Sequence, residues 1–142
     1  MVVKAILSND AIQVVTHIND WKSAIKLASQ PLLKAKMISS IYVENMIASV
    51  NSNGPYMVLT DYFALMHARP GVGVSRAGMS LLVTKQAVDL AGKPVKVFLI
   101  LAAKDNTSHL EWLQAIMSIF MDEQKYRRIL TGNREQIAKL FN

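Results

Sequence analysis

Between Val95 and Ala103 the chain reads VKVFLILAA, apolar at every position except Lys96. A strand with one wet face alternates apolar and polar residues, so a run without alternation has both faces covered. Its valine, phenylalanine and isoleucine content favours extended backbone over helix. A strand of this kind belongs in the middle of a sheet, with helices packed above and below it.

The rest of the chain supplies the other layers. Asp20 is placed to cap a helix over Trp21–Gln30, with Trp21, Ile25 and Ala28 on one stripe, and Pro31 is expected to end it or to start a new turn. A second helix is expected after Ser39 or Ser40, because Tyr42, Val43, Met46, Ile47 and Val50 recur on one face until Asn51-Ser-Asn-Gly-Pro55 stops it. From Tyr56 the texture changes to short apolar runs, Met57–Thr60 and Phe63–Met66, which read as strands, as does Ala77–Lys85. Asp89–Pro94 carries turn chemistry.

Three helices are expected after the central strand. Ser108 and Glu111 have capping-box spacing, and the helix they open should run to about Asp122 with Leu110, Leu113, Ile116, Met117 and Phe120 on one face. A short helix holding Tyr126, Ile129 and Leu130 should end at Gly132, and Asn133 with Gln136 repeats the cap for a last helix, Arg134–Phe141. Helices, then strands, then helices predict an α/β fold: one domain over residues 1–142, with a mixed β-sheet sandwiched between helices.

Composition narrows the chemistry. At 142 residues with 51% hydrophobic content, the chain can bury a core and fold without disulfides, which the absence of cysteine rules out along with thiolate metal sites. The N-terminal MVVKAILSNDAIQ lacks a signal peptide's apolar core, and the longest apolar runs fall well short of the roughly 20 residues that span a bilayer, so a soluble cytoplasmic protein without membrane insertion is expected. The net charge of +6 suggests an anionic partner. No aromatic residues interleave a basic strand, so nucleic acid is not the expected partner, and Lys125-Tyr-Arg-Arg128 reads as a solvated helix face.

Three histidines remain for chemistry, at 17, 67 and 109. In Ala64-Leu-Met-His-Ala-Arg-Pro-Gly71, an extended backbone puts His67 and Arg69 on the same face, and Pro70 holds Arg69 out of the helical region. Gly71 and Gly73 then let the chain turn sharply and bring backbone N–H groups close. A neutral imidazole is a nucleophile, a guanidinium attracts anions, and a phosphoryl group suits the pair, with Arg69, Ser75 and Arg76 as candidate donors. Spacing alone leaves open a strand-end histidine bonded to a carbonyl beside a solvated arginine. His109, at a capped helix start, is a candidate to bond a phosphoryl oxygen or to orient His67; otherwise it faces water. His17 has no polar constellation nearby. Gly71-Val-Gly73-Val-Ser-Arg76 lacks the third glycine of a dinucleotide fingerprint and no Walker lysine follows, and three dispersed histidines make no zinc pattern, so neither cofactor nor metal is expected.

Taken together, His67-Ala-Arg-Pro70 after an apolar strand, Asp20-Trp-Lys-Ser-Ala-Ile25, Tyr42-Val-Glu-Asn-Met-Ile47, Gly54-Pro-Tyr56, Pro94-Val-Lys-Val97 and Ser108-His-Leu resemble the enzyme IIA components of the bacterial phosphotransferase system, fructose–mannitol class. The HARP form is most similar to the ascorbate-type branch. The resemblance implies that His67 accepts a phosphoryl group from phospho-HPr and passes it to a cysteine of an enzyme IIB partner, with a membrane enzyme IIC beyond. It implies His109 as the second histidine beside the first and Arg69 as a phosphoryl clamp. The pattern departs at Ser49 and Val50, where the family usually carries an arginine and an acidic residue, and at Met66, where it carries proline. Those departures leave the arginine's role to Arg76 or a lysine, and keep open a regulatory or binding domain with weak or no phosphotransfer.

Overall fold

A computed structural model describes residues 7–107 and 110–141. The central strand is where the apolar run predicts it, as β5 over Lys93–Ala102, within a five-stranded mixed sheet. Its partners are β1 (Ile12–Val15), β2 (Val58–Thr60), β3 (Tyr62–Met66) and β4 (Gly78–Leu90), in the order β1-β4-β5-β3-β2. The β1–β4 and β3–β5 pairs are parallel, and the β4–β5 and β2–β3 pairs antiparallel.

Alternation along β5 makes two cores from one strand. Phe98, Ile100 and Ala102 pack with helices α1 (Trp21–Lys34) and α2 (Ser40–Asn53), through residues such as Ile25, Ala28, Tyr42 and Met46. Val97, Leu99 and Leu101 face the other way, against α3 (Leu110–Phe120), α4 (Glu123–Thr131) and α5 (Arg134–Leu140). On that side Phe63 stacks on Phe120 at 4.6 Å between ring centroids, and Tyr126 reaches across to donate its hydroxyl to the Asp61 carbonyl at 2.7 Å. The expected sandwich of a mixed sheet between helices is what forms.

Helix α1 and strand β4 both run past their expected ends, for separate reasons. Helix α1 does not end at Gln30 but runs through Pro31 to Lys34. Proline lacks the N–H that would bond to the carbonyl four residues back, at Leu27, and that carbonyl instead accepts from Gln13 Nε2 on β1 at 2.8 Å. Strand β4 continues past Lys85 to Leu90, because Val88 and Leu90 are buried at alternate positions and the hairpin to β5 needs only Ala91 and Gly92, at φ +50° and +101°. Two consecutive positive φ values describe the primed two-residue turn whose twist matches the strands it joins.

The other caps follow the sequence more closely. Asp20 accepts from the Ser23 N–H at 2.7 Å, which holds its carboxyl below the usual range, and Gly54, at φ +76°, ends α2. Asn133 and Gln136 form both bonds of a capping box at the start of α5. Helix α3 stops at Phe120, short of the expected Asp122, because the Asp122 carboxylate accepts from the Lys125 N–H and so caps α4. The expected cap at Ser108 lies outside the described residues. No described helix is long and apolar enough to cross a membrane.

The Pro31 arrangement makes a specific prediction. Gln13→Met keeps the bulk of the side chain and removes the donor, leaving the Leu27 carbonyl unpaired at a cost of about 1–2 kcal/mol, read as a lower urea midpoint. Adding Pro31→Ala restores a backbone donor to that carbonyl and should recover most of the loss; independent, additive penalties would refute the pairing.

Candidate functional site

Strands β3 and β5 are parallel with Met66 opposite Ile100, so their C-terminal ends lie side by side. The chain leaving each strand there has no further ladder to satisfy it, which is why ligand sites in sheets of this kind gather at the carboxyl ends. His67 follows β3 directly and is partly buried. Its Nδ1 lies 2.8 Å from the Leu65 carbonyl oxygen. A carbonyl can only accept, so Nδ1 carries the proton of the neutral ring and the Nε2 lone pair is left for other work.

Tyr42 sets the backbone beside it. Fully buried on α2, it donates its hydroxyl to the Leu101 carbonyl of β5 at 2.5 Å and accepts from the Ala68 N–H at 3.1 Å. Burial pushes the phenol above its ordinary pKa, with the Ala68 bond opposing this, so the group stays a donor. One side chain thereby joins a helix, the end of the central strand and the residue after His67.

The following loop turns as its glycines demand. Gly71 has φ +87° and donates to the Ala103 carbonyl at 2.9 Å; Gly73 has φ +77°, and a Cβ there would lie 2.8 Å from the Tyr42 nitrogen. Gly73 also accepts from the Ser39 N–H at 2.9 Å, and Val74 bridges Ile38, so the loop is sewn to the α1–α2 connection. Ser75 donates its hydroxyl to the Lys36 carbonyl at 2.5 Å, and Arg76 Nη2 donates to the Ala35 carbonyl at 3.0 Å. Two of the three residues proposed from sequence as phosphoryl donors, Ser75 and Arg76, therefore direct hydrogen bonds into that connection.

Arg69 stands apart. The strand ends at Met66, and Arg69 lies in the bend that follows, exposed and making no hydrogen bond or ion pair among the described residues. His109 lies outside the described residues. His17 is exposed and, among the described residues, pairs with the Asn19 side chain at 3.1 Å.

One neighbour of His67 escaped sequence reasoning as a functional candidate. The Tyr56 ring stands nearly perpendicular to the imidazole, 83° between planes and 6.3 Å between centroids, and its hydroxyl is 2.8 Å from Ser49 Oγ. Gly54-Pro55-Tyr56 was legible as a helix stop, but nothing local says that the turn returns Tyr56 to the last turns of α2 and the end of β3.

A mixed sheet between helix layers, with His67 just past the carboxyl end of the inner strand β3 and a glycine-turned loop beside it, places the chain among α/β sandwich domains. The family model described as "Phosphoenolpyruvate-dependent sugar phosphotransferase system, EIIA 2" matches residues 5–142, and the chain belongs to that family. It is 34% identical over 135 residues to the mannitol-specific cryptic phosphotransferase enzyme IIA component of Escherichia coli K12, covering 93% of this chain and 92% of that one. It is 27% identical over 136 residues to the ascorbate-specific EIIA component of the same organism, covering 93% and 88%. The solution structure of the E. coli mannitol-specific cryptic enzyme IIA superposes with a TM-score of 0.92 at 31% identity, covering 99% of this chain and 98% of that one.

Tyr42 offers the test of this architecture. Tyr42→Phe leaves the Leu101 carbonyl and the Ala68 N–H without their partner, and should lower stability by about 1–3 kcal/mol while speeding hydrogen exchange at Ala68. Unchanged exchange at Ala68 would show that the hydroxyl does not hold the His67 segment.

Proposed function

We propose that this enzyme IIA domain is a phosphocarrier of a sugar-uptake system, with His67 Nε2 as the phosphoryl acceptor, phospho-HPr as donor and a cysteine of an enzyme IIB as recipient. The observation that carries the reading is the bond from His67 Nδ1 to the Leu65 carbonyl, which leaves the Nε2 lone pair available. In the forward step that lone pair attacks phosphorus, the P–N bond of the donor phosphohistidine breaks, and its electron pair returns to the donor ring. No proton needs to move. The His67 ring, keeping Nδ1–H, becomes cationic, and the Leu65 carbonyl stabilises that charge. In the second step a cysteine thiolate attacks phosphorus and the Nε2–P bond returns its electrons to the ring.

Arg69 is the phosphoryl clamp in this reading, supported by an exposed guanidinium committed to no other group among the described residues. Arg76 shares the phosphoryl-binding role through the donors that the Ala35 carbonyl does not take, and Ser75 contributes chiefly by fixing the loop that both arginines flank. His109 is the second histidine of this reading and supports the phosphorylated imidazole. Membrane enzyme IIC acts only beyond enzyme IIB, in line with a cytoplasmic carrier.

The sugar is proposed to be ascorbate-like, on the His67-Ala-Arg-Pro70 form and the ascorbate-specific relatives, with mannitol, named for the more identical relative, as the competing class. Enzyme I, HPr and phosphoenolpyruvate should add one phosphate that is lost in acid, kept in alkali and absent from His67→Gln. A phosphate on His67→Gln, or none on the wild type, refutes the assignment. The loaded protein should then phosphorylate an ascorbate-type enzyme IIB faster than a mannitol-type one by about tenfold or more; the reverse order assigns the mannitol class.

A further inference from the structure

We propose that Ser49 and Tyr56 form a further phosphoryl-binding element: when Nε2 of His67 carries a phosphoryl group, this hydroxyl pair donates one hydrogen bond to a non-bridging oxygen. The proposal rests on the carrier reading of His67 and adds to that site a neutral donor from a part of the chain that the reading does not use.

The argument begins with a proton count. Ser49 Oγ and Tyr56 Oη lie 2.8 Å apart, and either can donate to the other. Two hydroxyls bring two protons and their mutual bond uses one. The second has no acceptor among the described residues, since neither side chain makes another hydrogen bond. A hydroxyl that already accepts one hydrogen bond is the better donor in the next, because the two bonds polarise each other.

Location supplies the second step. Helix α2 ends at Asn53, Gly54 turns at φ +76°, and Pro55 delivers Tyr56 back toward Ser49, seven residues earlier. That return sets the Tyr56 ring against the His67 imidazole, 6.3 Å between centroids and 83° between planes. Tyr56 is 50% exposed, so the pair stands at the surface beside the imidazole rather than in the core. The ring contact alone would also be met by phenylalanine; the donor this proposal needs is the hydroxyl that is bonded to Ser49.

A hydrogen-bond donor favours the more highly charged form of a phosphoryl group, so it lowers the group's second pKa. The experiment loads His67 with phosphoramidate, a small phosphoryl donor that bypasses protein docking, and follows the phosphohistidine by phosphorus NMR against pH. Tyr56→Phe keeps the ring and removes the hydroxyl; Ser49→Ala removes its partner. In Tyr56→Phe the phosphoryl group should titrate about half a unit higher than in the wild type, with a smaller rise in Ser49→Ala. Backbone amide shifts away from residue 56 should coincide in unloaded wild type and Tyr56→Phe, a control that a general structural disturbance would not pass. Coincident phosphoryl titrations in the loaded wild type and Tyr56→Phe overturn the hydroxyl assignment and leave the carrier reading standing. Failure of the wild type to load at His67 overturns the carrier reading, and this proposal with it.

Discussion

The Tyr42 hydroxyl is the interaction on which the functional end of the molecule depends. It is buried, it donates to the Leu101 carbonyl near the end of β5, and it accepts from the amide that follows His67. Any shift of α2 along the sheet would break both bonds, and each unpaired buried group would cost about 1–3 kcal/mol. The position of the imidazole is thereby coupled to the packing of the whole helix. The other end of the same residue explains why Gly73 has to be glycine: the loop passes so close to the Tyr42 backbone that a Cβ has no room. Sheet, helix and loop are held against one another around a single oxygen.

Much of this architecture is legible along the chain because it is written in local alternation. VKVFLILAA announces a strand covered on both faces, and it serves as the shared wall of two cores. Caps at Asp20 and Asn133 and the stop at Gly54 are also local chemistry, and they stand where the residues put them. What local reasoning misses is compensation from a distance. Pro31 breaks a helix only if the carbonyl it abandons stays unpaired, and the donor that saves α1 is Gln13, on a strand 14 residues earlier than Leu27. Similarly, Lys85 and Gln86 look like the end of a strand until Val88 and Leu90 return to the core.

The candidate site divides along the same line. His67, Arg69 and the turning glycines are close in sequence, so a spacing argument reaches them. Ser75 and Arg76 were also reached by nearness, yet their hydrogen bonds go to carbonyls 39 and 41 residues away, where they anchor the loop. Tyr42 and Tyr56 were visible as a stripe residue and a turn residue. Their relation to His67 exists only after α2 has docked on the sheet and the Gly54-Pro55 turn has doubled back.

A carrier of the proposed kind has to release what it binds, and this bears on which groups surround His67. A fixed, desolvated cation beside Nε2 would stabilise the phosphorylated form strongly and slow transfer onward, since interactions equally strong before and during transfer deepen the well without lowering the barrier. The described residues around His67 are of a lighter kind: a carbonyl on Nδ1, a perpendicular ring, a pair of exposed hydroxyls and an arginine free in solvent. Exposed charge is screened and exposed hydroxyls exchange readily with water, so each contributes modestly and adjusts as a partner approaches. The rigid element is the backbone held by Tyr42, which fixes where the His67 imidazole stands. In the proposed cycle, rigidity at the imidazole supplies the in-line geometry, and looseness at the phosphoryl oxygens lets the group move on.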